Sequence, residues 1–289
     1  MSAIYPGRST RRRTRRGRSR PPVAAVLLAS VAVLFFALPL LGIVIRAPWR
    51  SVWHIVNASE VRQAVWLSLK CSLTATSLSF VFGIPLAWVL ARANFPGRGA
   101  VRALCTMSMV LPPVVGGVAL FFSLGRKGLV GQYLYRWFGF MLPFTTWGVI
   151  VAQTFVAMPF LVLTVEAALR QFDPRLDDAA RSLGGSPWYV FRRVTLPSIR
   201  PALIAGLVLC WARALGEFGA TITFAGNYPG TTQTMPVITY LAIDTNPEQA
   251  LVLSLLLIAI SFAVLVGLRD RWLGTGANAG AASFGGAAS

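Results

Sequence analysis

Long uncharged apolar runs alternate with short basic segments along most of the chain. Several runs continue for 18 residues or more without a charge, the length at which an α-helix can cross a bilayer. Peptide groups in lipid must bond within the protein, so these runs predict helices and not open sheets. Six spans are predicted, at residues 23–45, 61–90, 103–124, 144–165, 201–224 and 251–268. The chain is therefore predicted to be an all-α, multi-pass membrane protein.

The distribution of basic residues predicts the orientation of the spans. The chain has 27 basic and nine acidic residues, and eight arginines lie between Arg8 and Arg20, before the first span. With the N-terminus inside, 19 of the 27 basic residues fall in cytoplasmic segments and six in external ones. Both termini are therefore predicted to be cytoplasmic. A nucleic-acid-binding tail is the weaker alternative, because this segment has one aromatic residue, Tyr5, and no binding fold beside it.

Composition divides the chain into three parts. Residues 1–22 are predicted to be a basic cytoplasmic tail, 23–273 a transmembrane domain, and the glycine- and alanine-rich residues 274–289 a disordered tail. The first span is too long for a signal peptide and no cleavage site follows it, so we expect it to be retained. Cys71, Cys105 and Cys210 lie in or beside apolar runs without metal-site spacing, which predicts small buried side chains and no metal.

Proline and glycine interrupt the third span. Pro112 and Pro113 remove two backbone donors, and Gly116 and Gly117 follow them. One interpretation is a kink packed against neighbouring helices. The other is irregular backbone beside the permeation path, because such backbone is tolerated at membrane depth only within protein or at a cavity.

An ionisable pair lies in the fifth span. Arg213 and Glu217 are four residues apart, which places them on one helical face and predicts that both point into the bundle. The pair either fixes helix packing or lines the path together with Thr221 and Thr223. Glu217 has no second carboxylate or histidine on its face, so no catalytic residue is predicted.

A polar segment separates the fourth and fifth spans. Asp173 and Pro174 are typical of a helix start, Gly184 of a left-handed stop, and Ser186 of a second start. The second helix is predicted to end at Leu196-Pro197. A narrow apolar stripe follows the first helix and consists of Leu176, Ala179, Ala180 and Leu183. We expect a rigid helix–turn–helix at about residues 170–200 that docks a soluble cytoplasmic subunit.

The spacing within this hairpin resembles the EAA loop of ABC-importer permeases. That pattern is Glu-Ala-Ala, three residues, Gly, nine residues, Ile, one residue and Leu-Pro. The residues here that match or adjoin it are Asp178, Ala179, Ala180, Gly184, Gly185, Val194, Leu196 and Pro197. The resemblance implies a type I ABC importer permease fold, in which the loop enters a cleft on an ATPase and transmits its closure to the membrane.

The resemblance is sharper within the oxyanion branch of these permeases. The stretches RALGEFGATITFAGN (213–227) and PGTTQTMP (229–236) resemble molybdate permeases. Sulfate and thiosulfate permeases are close relatives, but they look more like Gly-Glu-Tyr-Gly where this chain has Phe218 in the third position. Molybdate is thus the favoured cargo, with sulfate as the alternative; tungstate is not separable from molybdate.

No Gly-rich Walker loop occurs in the chain, so it is not expected to bind ATP or any other cofactor itself. The resemblance implies a homodimer of this chain, two cytoplasmic ATPases that bind ATP and magnesium, and an extracytoplasmic oxyanion-binding protein, all at the bacterial cell membrane. An ion-gradient-driven secondary transporter is the alternative from another class. A membrane enzyme is a further rival, but the single histidine, His54, has no visible nucleophile or base beside it.

Overall fold

The computed structural model describes residues 22–281. Every regular element in that range is helical, which confirms the predicted all-α class. The helices are α1 (Val23–Arg46), α2 (Val52–Asn57), α3 (Ser59–Arg92), α4 (Arg98–Val110), α5 (Pro113–Leu124), α6 (Gly131–Phe138), α7 (Thr146–Gln171), α8 (Pro174–Ser182), α9 (Pro187–Val190), α10 (Leu196–Leu215), α11 (Gly219–Phe224), α12 (Met235–Thr245) and α13 (Pro247–Ala281), with a π-helical turn at Phe191–Thr195.

The helices fall into two compact units, residues 1–46 and 47–289. Within the described residues, the first unit contains α1 and the second contains the other helices. Among the described residues, five helical segments are long and apolar enough to cross a membrane: Val23–Arg46, Ser59–Arg92, Thr146–Gln171, Pro187–Leu215 and Pro247–Val264. They correspond to five of the six predicted spans.

The third predicted span, 103–124, is not one helix. It is divided into α4 and α5, and the backbone is extended at Leu111 (ψ 131°) and Pro112 (ψ 131°) between them. A residue that precedes proline is disfavoured in the helical region of backbone conformation. Leu111 precedes Pro112, and Pro112 itself precedes Pro113, so both residues are affected. Pro113 then starts α5 at the position where a missing N–H costs least. Tandem proline therefore breaks this span instead of kinking it.

The fifth predicted span, 201–224, also has different limits. The helix that begins at Pro187 does not end at Leu196-Pro197, as predicted, but continues through the π-helical turn to Leu215. The Leu196 N–H bonds to the Phe191 carbonyl, five residues back. This wider turn accommodates Pro197, whose missing donor and ring are incompatible with a regular turn. The chain then breaks at residues 216–218 and resumes as α11.

The core of the larger unit is formed where α3, α7 and α10 pack together. One continuous cluster includes Cys71 from α3, Leu161 and Val165 from α7, and Cys210 and Ala214 from α10, all of them completely buried. Cys71 and Cys210 are buried free thiols inside it, as predicted, whereas Cys105, also predicted to be buried, is a free thiol that is only half-buried. The α3 face in this region carries small side chains, which allow helices to approach closely in a membrane.

Helices α5 and α11 contact each other through glycines. A β-carbon on Gly117 would lie 2.9 Å from the Ala220 carbonyl oxygen and would overlap the Thr223 hydroxyl. A β-carbon on Gly219 would lie 2.8 Å from the Pro113 side chain. The two broken spans are therefore in direct backbone contact at their breaks.

The predicted terminal segments lie mostly beyond the described residues. Residues 1–21 of the basic tail and 282–289 of the C-terminal tail are outside that range. Helix α13 continues to Ala281, so the first eight residues of the segment predicted as disordered, 274–281, are helical in this structure.

Replacement of Gly117 by alanine tests the α5–α11 contact. The added methyl group would meet the Ala220 carbonyl and Thr223, so we expect overpacking to cost about 1–3 kcal/mol of stability and to lower the Tm of the purified protein in detergent. Gly99→Ala in α4 is the matched control, because its β-carbon would have no neighbour within 4 Å. A Gly99→Ala variant that loses as much stability would contradict this account.

Candidate coupling hairpin and translocation path

Capping interactions build the hairpin. The Asp173 side chain accepts a hydrogen bond from Arg175 N (3.0 Å) at the start of α8. Gly184 closes this helix with φ +87°, a backbone conformation that suits glycine, and the Gly185 N–H bonds to the Ala180 carbonyl at 3.0 Å. The Ser186 hydroxyl accepts from Tyr189 N (3.3 Å) to start α9. The predicted helix–turn–helix is therefore present.

The hairpin presents apolar side chains to its surroundings. Leu183 is 89% exposed and Trp188 69% exposed, and Leu176 and Tyr189 are exposed beside them. Trp188 stacks on Phe191 with ring centroids 5.8 Å apart, which holds it in place. Of the eight predicted hairpin residues, Asp178, Ala179, Gly184 and Pro197 are exposed, and Ala180, Gly185, Val194 and Leu196 are half-buried. Clustered exposed apolar groups next to polar residues are typical of a protein-binding surface.

Asp177 attaches the hairpin to the membrane helices. One carboxylate oxygen accepts a hydrogen bond from the Thr195 hydroxyl (2.8 Å) in the π-helical turn. The other lies 3.4 Å from a guanidinium nitrogen of Arg92 at the end of α3, and the Arg92 guanidinium lies over the Phe172 ring. Local spacing in the sequence indicated neither contact, because they join Asp177 to residues 18 and 85 positions away.

Glu166 forms a second ionic site at the same end of the bundle. It is almost fully buried in α7 and pairs with Arg102 from α4 and with Arg170, one turn further along α7 (3.1 Å). A lone carboxylate near the end of an apolar run needs a partner. The pairing with Arg170, four residues later, could have been predicted from the sequence. Arg102, 64 residues away, was not readable from local spacing.

The predicted ionisable pair lies at the end of α10, with Arg213 in the last turn of the helix and Glu217 in the break that follows. Arg213 Nη1 lies 2.6 Å from Glu217 Oε2, and the other Glu217 oxygen accepts from the Ala220 N–H at 2.8 Å. The Glu217 side chain is buried, whereas 27% of the Arg213 side chain is exposed. Glu217 lies beyond the end of α10, so it caps the backbone of α11 as well as pairing with Arg213.

The predicted path residues are only partly brought together. Pro113 and Gly117 of α5 meet Gly219 and Thr223 of α11, while Gly116 faces Phe155 of α7. The Thr223 hydroxyl donates within its own helix to the Gly219 carbonyl (2.8 Å). Pro112 lies in the break before α5, and Thr221 is completely buried. A path lined by these residues stays a prediction.

Gln153 was missed by sequence reasoning. It is completely buried in α7, and its amide forms no hydrogen bond to any described residue. The Thr221 hydroxyl is likewise without a partner there. Most buried polar groups are bonded, so both groups are exceptions within the described residues. The position of Gln153 inside an apolar run could have identified it from the sequence as a buried polar residue. Within residues 22–281, His, Cys, Asp and Glu side chains form no group of three suited to a metal.

Comparison with known proteins decides the family. Residues 83–276, which include the hairpin and both breaks, match the family described as binding-protein-dependent transport system inner membrane component. The chain belongs to this family. It is a multi-pass protein of the cytoplasmic membrane and a transport component, as the family and its five apolar helices indicate.

The chain is similar to named permeases. It is 42% identical over 245 residues to the molybdenum transport system permease protein ModB of Mycobacterium tuberculosis, covering 85% of this chain and 92% of that protein. It is 43% identical to ModB of Escherichia coli K12, covering 73% and 92%. The sulfate transport system permease protein CysT of Salmonella typhimurium is 35% identical, with coverage of 73% and 77%.

Solved structures share the fold. The permease resembles a chain of the bacterial alginate ABC transporter in complex with an alginate pentasaccharide-bound periplasmic protein, with TM-score 0.65, 19% identity, and coverage of 86% of this chain and 93% of that one. A chain of the inward-facing MetNI methionine ABC transporter gives TM-score 0.56 at 20% identity, with coverage of 73% and 94%. The predicted type I ABC importer fold is confirmed.

Substitution of Glu217 separates its two roles. In Glu217→Ala, Arg213 loses its partner and the Ala220 N–H loses its acceptor, so we expect stability to fall by about 3 kcal/mol and Tm to fall with it. Glu217→Gln keeps an oxygen for the Ala220 N–H and removes only the charge, so its loss of stability should be smaller. Thermal unfolding in detergent measures both variants, and equal losses would show that the cap contributes nothing.

Proposed function

We propose that this chain is the membrane-spanning permease subunit of an ATP-driven ABC importer that carries molybdate into the cell. The observation that carries the proposal is the similarity to molybdenum transport permeases over most of the chain. Tungstate, a tetrahedral dianion like molybdate, would follow the same route. Sulfate transport is the second candidate, favoured by the more distant similarity to a sulfate permease.

The proposed importer contains two copies of this permease, two cytoplasmic ATPases and an extracytoplasmic oxyanion-binding protein. ATP and magnesium bind to the ATPases, because this chain has no Walker loop. The exposed apolar stripe of the hairpin supports ATPase docking. The periplasmic protein in the related alginate transporter complex supports a binding protein as the external partner.

We place both termini and the hairpin on the cytoplasmic side. The hairpin contacts Arg92, so it lies at the end of the bundle where Arg98, Arg102 and Arg170 also cluster. Basic residues concentrate on the cytoplasmic side of membrane proteins. The basic segments that the distribution of Lys and Arg assigns to the cytoplasmic side are therefore also neighbours in the fold.

One helix joins the hairpin to the α10–α11 break. The helix from Pro187 to Leu215 runs without interruption from the hairpin into the membrane, a length of roughly 40 Å at 1.5 Å per residue. ATP-driven closure of the two ATPases would draw the two hairpins together and move these helices. The movement would reach the α10–α11 break and α5, which packs against α11.

The partly exposed Arg213 supplies positive potential for an anion in this scheme, with Thr221, Thr223 and the broken third span contributing a weak polar lining. A strong site in the path would trap the anion, so discrimination among oxyanions resides mainly in the binding protein.

Reconstitution tests the proposal. Proteoliposomes that contain the permease, its ATPase and its binding protein should accumulate molybdate when ATP is supplied, and tungstate should compete. Vesicles that contain the permease alone should accumulate nothing with or without an ion gradient. Gradient-driven uptake by the permease alone would establish a secondary transporter instead, and uptake of sulfate in preference to molybdate would establish the second candidate.

Leu183→Glu tests docking without disturbing the fold. Leu183 is 89% exposed, so the charge costs little stability in the isolated permease. If Leu183 is buried against the ATPase, losing about 1.5–3 kcal/mol of apolar burial should raise the Kd for the ATPase by about 10- to 100-fold.

Leu129→Glu is the matched control for Leu183→Glu, because Leu129 is 75% exposed and lies outside the hairpin. Association is measured with purified subunits in detergent. An unchanged Kd for Leu183→Glu, or an equal effect of Leu129→Glu, would refute hairpin docking.

A further inference from the structure

Arginines from other helices bind the end of α3 that points to the hairpin. The Leu90 carbonyl accepts from Arg98 Nε (2.9 Å) and Arg170 Nη2 (3.3 Å), and the Ala91 carbonyl accepts from Arg98 Nη2 (3.4 Å). The last carbonyls of a helix lack intrahelical partners and carry negative partial charge, so guanidinium groups bind them favourably. The end of α3 is thus fastened to the start of α4 and to the end of α7.

Glu166 fastens α4 to α7 a second time. Its carboxylate pairs with Arg102 and Arg170 and is only 4% exposed, whereas the two arginine side chains are about two-fifths exposed. Arg170 therefore bonds both to Glu166 and to the Leu90 carbonyl. A rotation of α4 would break contacts to α3 and α7 together.

Asp177 connects this arrangement to the hairpin. It bonds Thr195 in the π-helical turn and pairs with Arg92 on the last turn of α3. Asp177–Arg92 and the group formed by the other four residues meet only through the last turn of α3. We name all six the basic clasp: Arg92, Arg98, Arg102, Glu166, Arg170 and Asp177. Within it, polar contacts lead from the hairpin through the end of α3 to α4.

Helix α4 leads directly to the break at Pro112 and to α5. Helix α5 packs against α11 at Gly117 and Gly219, next to the Arg213–Glu217 pair. The clasp therefore provides a connection from the hairpin to the α5–α11 contact that does not pass through α10. The two connections converge on the same pair of broken helices.

We propose that the basic clasp transmits hairpin movement to α4 and α5, and that Asp177 and Glu166 are positioning residues for coupling ATP hydrolysis to transport. The inference rests on the proposed function. The two carboxylates are the acidic members of the clasp. Asp177 joins the hairpin to Arg92 of α3, and Glu166 joins Arg102 of α4 to α7, so neutralising either one should weaken the connection between the hairpin and α4 while the Arg98 bonds to α3 remain. Such a variant should still assemble and hydrolyse ATP but import less anion for each ATP hydrolysed.

The test uses the complete importer in proteoliposomes and measures molybdate uptake and ATP hydrolysis in the same vesicles. Glu166→Gln and Asp177→Asn keep the side-chain shapes and remove the charges. We expect molybdate imported per ATP to fall at least about fivefold in each, with ATPase activity retained. Glu248→Gln is the matched control, because Glu248 is exposed at the start of α13, far in sequence from the clasp.

The double variant tests whether both residues act along one connection. Residues on a shared route give non-additive effects, so the double variant should couple no worse than the poorer single variant. If Glu166→Gln does not assemble, Arg102→Gln removes the α4 side of the same contact from a partly exposed residue and replaces it in the test.

If the variants import as much molybdate per ATP as the wild type, the proposal is overturned, even if uptake and ATP hydrolysis both become slower. A merely structural role would lower the amount of active importer and would leave the ratio of uptake to hydrolysis unchanged. Failure of the proposed function would look different, since the wild-type importer itself would then show no ATP-dependent molybdate uptake. The two failures are therefore distinguishable in one experiment.

Discussion

Lipid offers no hydrogen bond to a peptide group, so every break in a membrane-embedded helix must be satisfied from within the protein. The architecture of this permease follows from how its two breaks meet that requirement. At the α10–α11 break, Glu217 accepts the Ala220 N–H and its charge is balanced by Arg213. At the α4–α5 break, proline removes the donors that would otherwise be unpaired. The glycines of α5 and α11 then let the two breaks pack against each other.

In the proposed mechanism, this contact is the part of the membrane domain that the hairpin would move. A helix that was continuous through the membrane would move as a rigid rod, whereas a broken one can change its angle at the break. The helix from Pro187 to Leu215 reaches one break directly, and the basic clasp reaches the other through α4. The hairpin, although outside the apolar part of the bundle, is thereby connected to both halves of the contact between α5 and α11.

Local chemistry was readable from the sequence. The starts of the hairpin helices follow from Asp173 and Ser186, whose side chains bond backbone groups two or three residues away, and the turn follows from Gly184. The apolar runs gave most of the membrane helices for the same reason, because length and polarity are properties of a continuous segment.

Contacts between residues far apart in sequence, and positions where local effects compete, could not be predicted from the sequence. The pairing of Arg102 with Glu166 joins residues 64 positions apart, and no local spacing encodes it. Proline at 197 predicts a helix end from sequence alone, but the π-helical turn before it absorbs the missing donor and lets the helix continue.

The balance of charge at the α10–α11 break bears on how an anion could pass. An unpaired arginine in a medium of low dielectric would hold a dianion tightly, since Coulomb energy grows as the dielectric constant falls. Glu217, 2.6 Å from Arg213, cancels most of that attraction at a distance, while 27% of the Arg213 side chain stays exposed. A dianion would then meet a donor of hydrogen bonds without a deep electrostatic well. In the proposed importer, such a site would suit brief contact during passage, and the anion would be recognised by a protein that binds it before it enters the membrane.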